Sequence, residues 1–374
     1  MKIPRHLSHL LRNNLGSRKA LILYGARQTG KTTLLKHLIE ENQKVLWINA
    51  DTFEGQQFFN HTSLERYKRT LADKDLLIVD EAQRIDNIGI KLKILLDELP
   101  VKIIATGSSS FDLANKINEP LTGRKTVFTL FPLSFNELKN HLGLFDELNA
   151  LESRLIFGSY PEVISNPGNE TAVLSEIVDS YLFKDIFSNN KIKKSDKMVR
   201  LIQALAFQTG QLVSYNELSN LTGLNHETVE RYIDLLEQSF VLFRVSPYSS
   251  NPRNELKNLR KIFFFDNGVR NTLINNFNKP DLRNDIGQLW ENYIISERVK
   301  FLNNEKINTK IYFWRNHNRQ EIDLVEQNGS SLDAYEIKWK TTSKYRFPDS
   351  FVEKYKPKTT SVISRDNYES FISS

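Results

Sequence analysis

Short apolar runs separated by polar, helix-patterned stretches set the grammar of the first third of the chain. Ala20 to Tyr24, Val45 to Asn49, Leu76 to Val79, Val101 to Thr106 and Val127 to Leu130 each read as a buried strand. Between them, Thr33 to Glu41 places Leu34, Leu35, Leu38 and Ile39 on one helical face, and Ser63 to Leu71 predicts a further helix. Lys2 to Asn13 reads as a short amphipathic helix leading into the first strand. Strands alternating with helices predict an α/β fold with a parallel sheet and right-handed crossovers. From Leu133 to Asn190 the pattern becomes helical. Phe135 to Leu142, Phe145 to Phe157 and Thr171 to Phe187 carry apolar residues at three- and four-residue spacing, and Gly158-Ser159-Tyr160-Pro161 punctuates them as a turn. This predicts a helical lid, followed by a basic connector from Lys191 to Lys197.

The pattern changes again over Met198 to Asp266. Tyr215 to Leu221 and Asn225 to Gln238 read as two helices joined by Thr222-Gly223-Leu224. Phe240 to Val245 and Lys261 to Phe265 follow as a pair of strands. That order is the one of a winged helix-turn-helix. Its second helix carries Glu227, Glu230, Asp234 and Glu237 against Arg231, which suits a phosphate-lined groove poorly. The expected wing is basic, with Arg253, Lys257, Arg260 and Lys261. The module therefore reads as a packing unit, or as a non-specific DNA contact made through the wing.

Composition narrows the setting. The 374 residues suffice for two or three domains, and the 40% hydrophobic content is ordinary for a globular protein. There is no cysteine, which removes disulfides and thiolate metal sites. The net charge of +6 permits nucleic acid as a partner without requiring it. No signal-like segment and no apolar run of bilayer length is present, so a cytoplasmic protein with no membrane partner is expected.

The candidate chemistry begins directly after the first strand. Gly25-Ala26-Arg27-Gln28-Thr29-Gly30-Lys31-Thr32 fits G-x-x-x-x-G-K-[ST], with a strand before it and a helix opening at Thr33 after it. Backbone N–H groups of such a loop form an anion nest, and the helix N-terminus adds partial positive charge. Lys31 would reach the β- and γ-phosphates of ATP, and the Thr32 hydroxyl would ligate Mg²⁺. Asp80 and Glu81 end the third strand, where Asp80 would hold the Mg²⁺ and Glu81 would polarise the attacking water. A solvated acidic turn fits those two residues in isolation; the upstream loop favours catalysis. Ser108, after the fourth strand, would lie near the γ-phosphate, or else cap the next helix. Arg124 is a candidate arginine finger, in cis or toward a neighbouring subunit, against the alternative of a surface ion pair.

From Asp285 onward a third unit is expected. Gln288 to Leu302 predicts a helix with Glu291 and Glu297, and Ile311 to Trp314 a strand. Arg319 to Glu326 and Leu332 to Trp339 then read as a hairpin across a four-residue loop at Asn328-Gly329-Ser330-Ser331. Period two puts Ile322 and Leu324 on one face with Tyr335, Ile337 and Trp339. The other face holds Glu321, Asp323, Glu336 and Lys338, with Asp323 opposite Glu336 and Glu321 opposite Lys338. Opposed carboxylates repel unless something positive lies between them. A Mg²⁺ ion would serve, with Lys338 placed to stabilise developing negative charge. The alternative is a solvated face with a Glu321–Lys338 ion pair.

GARQTGKT at Gly25–Thr32, LLIVDE at Leu76–Glu81 and ATGSS at Ala105–Ser109 resemble the AAA-type P-loop ATPases of the additional-strand class. The whole chain resembles a prokaryotic family in which that ATPase precedes a C-terminal domain of undefined function. LTGR at Leu121, FPLSFNE at Phe131–Glu137, GSYPEV at Gly158–Val163, FFDNGVRN at Phe264–Asn271, GQLWEN at Gly287–Asn292, WR at Trp314, EIDLV at Glu321–Val325 and EIKWK at Glu336–Lys340 carry that resemblance. The last part is similar to the restriction-endonuclease-like fold, whose helix Glu, strand Asp and E-x-K pair fall on Glu291, Asp323, Glu336 and Lys338. The implied organisation is a P-loop core over 1–132, a helical lid over 133–195, a winged helix over 196–268 and an endonuclease-like domain over 285–374.

Three functions follow from these readings. The first is a MgATP-hydrolysing ATPase that drives or regulates the C-terminal unit. The second is a metal-dependent DNA endonuclease regulated by nucleotide. The third is a slow nucleotide switch for protein assembly. DNA and a second copy of the chain are the candidate macromolecular partners.

Overall fold

Strands β1 (Ala20–Tyr24) and β3 (Leu76–Asp80) are buried at every position, as their uninterrupted apolar runs require. With β2 (Val45–Asn49), β4 (Lys102–Gly107) and β5 (Lys125–Thr129) they form a five-stranded parallel sheet in the order β2-β3-β4-β1-β5. In the computed structural model the described residues are all except 1–2, 61–62, 109–112, 114–115, 181–194, 250–259, 342–344 and 374. They cluster into two compact units. One comprises the described residues up to Phe131 with Gln238–Phe240, the other Pro132–Glu237 with those from Val241 onward.

In the first unit, helices cover both faces of the sheet, each face with its own apolar core. Ile22, Val79, Ile103 and Ala105 pack with Phe59, Tyr67, Leu92 and Leu95 on one side. Leu21, Leu23, Ile78 and Ile104 pack with Leu7, Leu11, Leu34 and Leu38 on the other. The leading helix spans Leu7–Asn14, and the helix after the Gly-rich loop opens at Lys31 and ends at Leu38. Two helices without an expectation of their own, Phe53–Asn60 and Ile88–Glu98, complete the crossovers. β4 lies between β1 and β3, so the strand that carries the loop and the strand that ends in carboxylates are separated by an intervening strand.

The second unit is built on one seven-stranded mixed sheet. β6 (Leu212–Val213), β7 (Leu242–Pro247), β8 (Arg260–Phe264), β9 (Lys310–Arg315), β10 (Glu321–Asn328), β11 (Ser331–Ile337) and β12 (Thr359–Ile363) are ordered β12-β11-β10-β9-β7-β8-β6. β7 pairs in parallel with β9 through Ser246↔Tyr312 and Pro247↔Phe313. The strands expected to form a separate wing therefore continue the sheet of the C-terminal segment. The helix Tyr215–Thr222 and the helix His226–Gln238 up to Glu237 lie in the same unit, as do the helices of the expected lid. The expected Phe145–Phe157 helix is two, Leu144–Asn149 and Leu151–Phe157, broken at Ala150. The expected Thr171–Phe187 helix is described over Glu170–Val178, and its end, like most of the basic connector, lies outside the described residues.

Several of the sequence marks serve this unit's packing. Ser134 and Glu137 form a reciprocal capping box for the helix Phe135–Leu142, and the Phe135 N–H donates to Glu297 at 2.7 Å. Asn292 clasps the backbone of Phe264 at both its N–H and its C=O. The Ser159 N–H donates to the buried Asp266 carboxylate at 2.7 Å. At Gly158 a Cβ would come within 2.0 Å of that carboxylate, so glycine is required there.

Candidate functional sites

The loop after β1 is shaped by its backbone. A Cβ on Gly25 would stand 2.3 Å from the Leu130 carbonyl oxygen, so this approach to the end of β5 needs glycine. Gln28 and Gly30 have φ of 60° and 94°, left-handed turns that curl the segment over the helix start. Thr29 Oγ1 donates to the Ala26 carbonyl at 2.8 Å and closes the curl from inside. Gly30 is the N-cap of the helix Lys31–Leu38 and offers no side-chain oxygen to its first N–H groups. Those donors and the helix dipole therefore face the loop. Lys31, 5% exposed, folds back so that Nζ donates to the carbonyls of Gly25 and Ala26 at 2.8 and 2.9 Å. Thr32 and Thr33 are exposed on the first turn, and Arg27 is half-buried at the loop's flank.

A polar chain runs from this helix across the ends of β3 and β4. Thr32 Oγ1 donates to Asp80 Oδ2 at 2.9 Å, and Thr106 Oγ1 donates to Asp80 Oδ1 at 2.5 Å. The Glu81 N–H donates to Thr106 Oγ1 at 3.0 Å. Gln83 Nε2 donates to Glu81 Oε2 at 2.5 Å and to Ser108 Oγ at 3.1 Å. Glu81 sits at φ 54°, a left-handed conformation uncommon for its residue type. Lys31, Thr32, Asp80, Glu81 and Ser108 are thus gathered at the carboxyl ends of neighbouring parallel strands, where α/β sheets bind ligands.

Three residues join this group that the sequence reading did not name. Thr106 and Gln83 flank the recognised carboxylates, and their signal was local: a polar residue ending a buried strand, and one two positions beyond Glu81. Arg5 had no local signal. Its guanidinium donates to the Thr29 carbonyl and the Phe131 carbonyl, both at 2.6 Å, and ties the loop to the segment after β5.

Arg124 is placed elsewhere. It precedes β5, whose Lys125 pairs with Ala20 while Thr129 pairs with Tyr24. Arg124 therefore stands at the amino edge of the sheet, about 13 Å of strand from the loop. It makes an exposed ion pair with Asp97 at 3.1 Å. The expectation of an arginine finger acting in cis is corrected by this topology.

The donor set suits MgATP. A hydroxyl and a carboxylate in contact, Thr32 and Asp80, are the oxygen ligands a Mg²⁺ ion takes beside a phosphate.

In the second unit a different cluster forms. The ammonium of Lys261, on β8, lies 3.0 Å from Glu291 Oε1, 2.6 Å from Glu321 Oε1 and 3.9 Å from Asp323 Oδ1. It is 2% exposed. Glu291 comes from the helix Ile286–Asn304, and the two other carboxylates from β10. Arg315 reaches the second oxygen of Glu321 at 3.1 Å, and the Ile337 N–H donates to Asp323 Oδ2 at 2.8 Å. Lys338 pairs with Glu336 at 2.5 Å. Burial pushes Glu291 up to about 8 against the pull of Lys261, and burial with the nearby Asp323 raises Glu336. Burial alone would lower Lys261, but Glu291, Asp323 and Glu321 outweigh it and hold the ammonium charged.

Four expectations about this hairpin change. The turn is Gly329-Ser330, with Asn328 pairing Ser331. A bulge between Ile322 and Val325 breaks the period, so Ile322 shares a core with Val325, Ala334 and Trp314 rather than with Leu324. Glu321 pairs with Lys261 and Arg315 instead of Lys338. The expected set was Glu291, Asp323 and Glu336 with Lys338; here Lys261 stands at Glu291 and Asp323 together with Glu321, while Glu336 pairs with Lys338. Among the described residues no group of three or more His, Cys, Asp or Glu is arranged to hold a metal.

Comparisons with known proteins agree with the first unit. Residues 17–139 match the AAA domain family model, 148–280 a domain of unknown function (DUF8612), and 286–372 a domain of unknown function (DUF4143). An uncharacterized protein of Haemophilus influenzae is 28% identical over 273 residues, covering 67% of this chain and 68% of that one. The uncharacterized protein Rv2008c of Mycobacterium tuberculosis is 25% identical over 339 residues, covering 89% of this chain and 73% of that one. The solved Walker-type ATPase paby2304 of Pyrococcus abyssi superposes with a TM-score of 0.51 at 17% identity, over 73% of this chain and 96% of that chain. The amino-terminal part of the chain thus matches the AAA domain family, and the chain shares its fold with a Walker-type ATPase. No helix among the described residues is long and apolar enough to cross a membrane.

Proposed function

We propose that the chain binds ATP at Gly25–Thr33 and hydrolyses it, with Glu81 as the residue that takes a proton from the attacking water. The observation that carries this reading is the chain Thr32–Asp80–Thr106–Glu81, which links the loop helix to both carboxylates. Loop N–H groups and Lys31 would hold the phosphates, Thr32 and Asp80 the Mg²⁺. Mg²⁺ bound with the nucleotide supplies positive charge against the phosphate oxygens. Glu81, oriented through Gln83 and its own N–H, directs water at the γ-phosphorus. A new P–O bond forms, the bond to the β–γ bridging oxygen breaks, and ADP and phosphate leave. Turnover would drive or regulate the C-terminal unit.

The endonuclease and DNA readings gain less. Lys261, one of the four expected wing cations, is buried among carboxylates, and Arg253 and Lys257 lie outside the described residues. Arg244 is engaged by Asp234 and Glu237 of the acidic helix. These observations support a packing role for the helix-turn-helix segment.

The test is nucleotide binding and phosphate release by the full chain, Lys31→Ala and Glu81→Gln. Lys31→Ala should lose ATP binding. Glu81→Gln should keep it while turnover drops by about 100-fold or more. A Glu81→Gln chain that turns over like the native one would sink the assignment. Negligible native turnover with a nucleotide-dependent change of oligomer would instead favour the switch.

A further inference from the structure

We propose that Lys261 is the resident cation of the C-terminal carboxylate site, occupying with its ammonium the position a divalent metal would need and excluding one from it. The site is then an internal clamp that ties β8 to the helix Ile286–Asn304 and to β10. This inference concerns the second unit alone and does not depend on ATP turnover.

The chemistry of the group fits. An ammonium has three donors and no acceptor, and three carboxylates surround this one. Two of them also hold their second oxygen elsewhere, Glu321 on Arg315 and Asp323 on the Ile337 N–H. Glu291 is confined from its far side, since a Cβ on Gly210 would lie 3.0 Å from Oε2. The Phe313 ring, 5.6 Å from Nζ, adds an attractive face to a cation already removed from water. Mg²⁺ would need oxygens at roughly 2.0–2.1 Å in near-octahedral order, and two cations cannot share this space. Glu336 of the E-x-K pair keeps its own Lys338, while Glu291, Glu321 and Asp323 are balanced by a lysine from a strand far away in sequence. Asp323 lies within the bulge of β10, between Ile322 and Val325.

A buried carboxylate cluster deprived of its lysine should accept a metal in its place. The experiment measures Mn²⁺ binding by electron paramagnetic resonance, and melting with and without Mn²⁺, in nucleotide-free full-length protein. All chains carry Asp80→Asn, so that the ATP site does not contribute. With Lys261 present, no stoichiometric Mn²⁺ should bind and melting should not respond to it. Lys261→Met, which keeps the apolar stem, should bind one equivalent and gain stability with Mn²⁺. Adding Asp323→Asn should remove that gain. One equivalent of Mn²⁺ bound with Lys261 present and lost in Asp323→Asn would overturn the proposal. So would a folded Lys261→Met chain that binds none and melts like its parent. If Lys261→Met does not fold even with Mn²⁺, the comparison of Asp323→Asn with its Lys261-bearing parent decides: unchanged absence of binding supports the clamp, and a lost site refutes it.

Discussion

Thr32 Oγ1 and Asp80 Oδ2 meet at 2.9 Å across 48 positions of sequence, joining the loop helix to the carboxylate strand through one hydrogen bond. The contact exists because β1 and β3 are parallel strands of one sheet whose carboxyl ends point the same way, with β4 between them. It makes the two halves of the proposed ATP site a single polar assembly whose members can be tested one by one.

Thr106 is the hub of that assembly, fully buried and bonded to both Asp80 and Glu81. Thr106→Val keeps the shape and removes the hydroxyl. Steady-state phosphate release should fall about tenfold, equivalent to about 1.4 kcal/mol of lost transition-state positioning, with ATP affinity little changed. Stability to melting should also drop, by about 1 kcal/mol, because the half-buried Glu81 N–H loses its acceptor.

Arg5 bridges the loop and the segment after β5 through two backbone carbonyls. Arg5→Ala should raise KM for ATP several-fold while kcat stays near native, since the residue holds the loop and touches no reacting atom. Arg5→Lys should restore little, because a single ammonium lacks the planar fork that reaches both carbonyls. Kinetics of the three chains over a range of ATP concentrations separate the two parameters.

Arg124 lies at the opposite edge of the sheet in an exposed pair with Asp97. Arg124→Ala should leave the turnover of dilute, monomeric protein unchanged and alter stability by less than about 1 kcal/mol. Turnover that rises with protein concentration in the native chain but not in the variant would show that Arg124 serves a neighbouring copy.

Asp285 neutralises two buried guanidinium groups, Arg270 at 2.5 Å and Arg283 at 2.8 Å. Burial would raise its carboxyl, but Arg283 and Arg270 outweigh that and hold it below its usual 3.8. A carboxyl depressed by folding contributes stability that is complete above its unfolded pKa and lost as pH falls through the folded value. Asp285→Asn should therefore lower stability at neutral pH by about 3 kcal/mol, leaving two buried cations short of a partner. It should also flatten the loss of melting temperature below about pH 4. Melting curves across pH for both chains check the level and the slope.

Much of the proposed ATP site could be read from the sequence because phosphate binding is carried by contiguous backbone. Gly25 to Thr32 places its own N–H groups, and a strand before and a helix after are local consequences of Ala20–Tyr24 and Leu34–Leu38. Asp80 and Glu81 were legible for the same reason, as carboxylates ending an apolar run. Local pattern could not tell that Thr106 binds Asp80, that Arg5 holds Thr29, or that Arg124 faces the wrong edge. Those depend on strand order, which sets residues distant in sequence side by side.

The C-terminal cluster divides the same way. The sequence by itself determined that Asp323 and Glu336 stand on a hairpin and that such carboxylates need a positive charge between them. Tertiary structure alone decided that Lys261 answers Asp323, with Glu291 and Glu321, while Glu336 pairs with Lys338. The parallel pairing of β7 with β9 brings β8 into the same sheet, and with it Lys261. A bulge of one residue in β10 then breaks the two-residue alternation on which the reading of faces rested. Period and composition describe each strand alone, whereas a buried cation and its carboxylates come from three elements whose meeting point is set by packing.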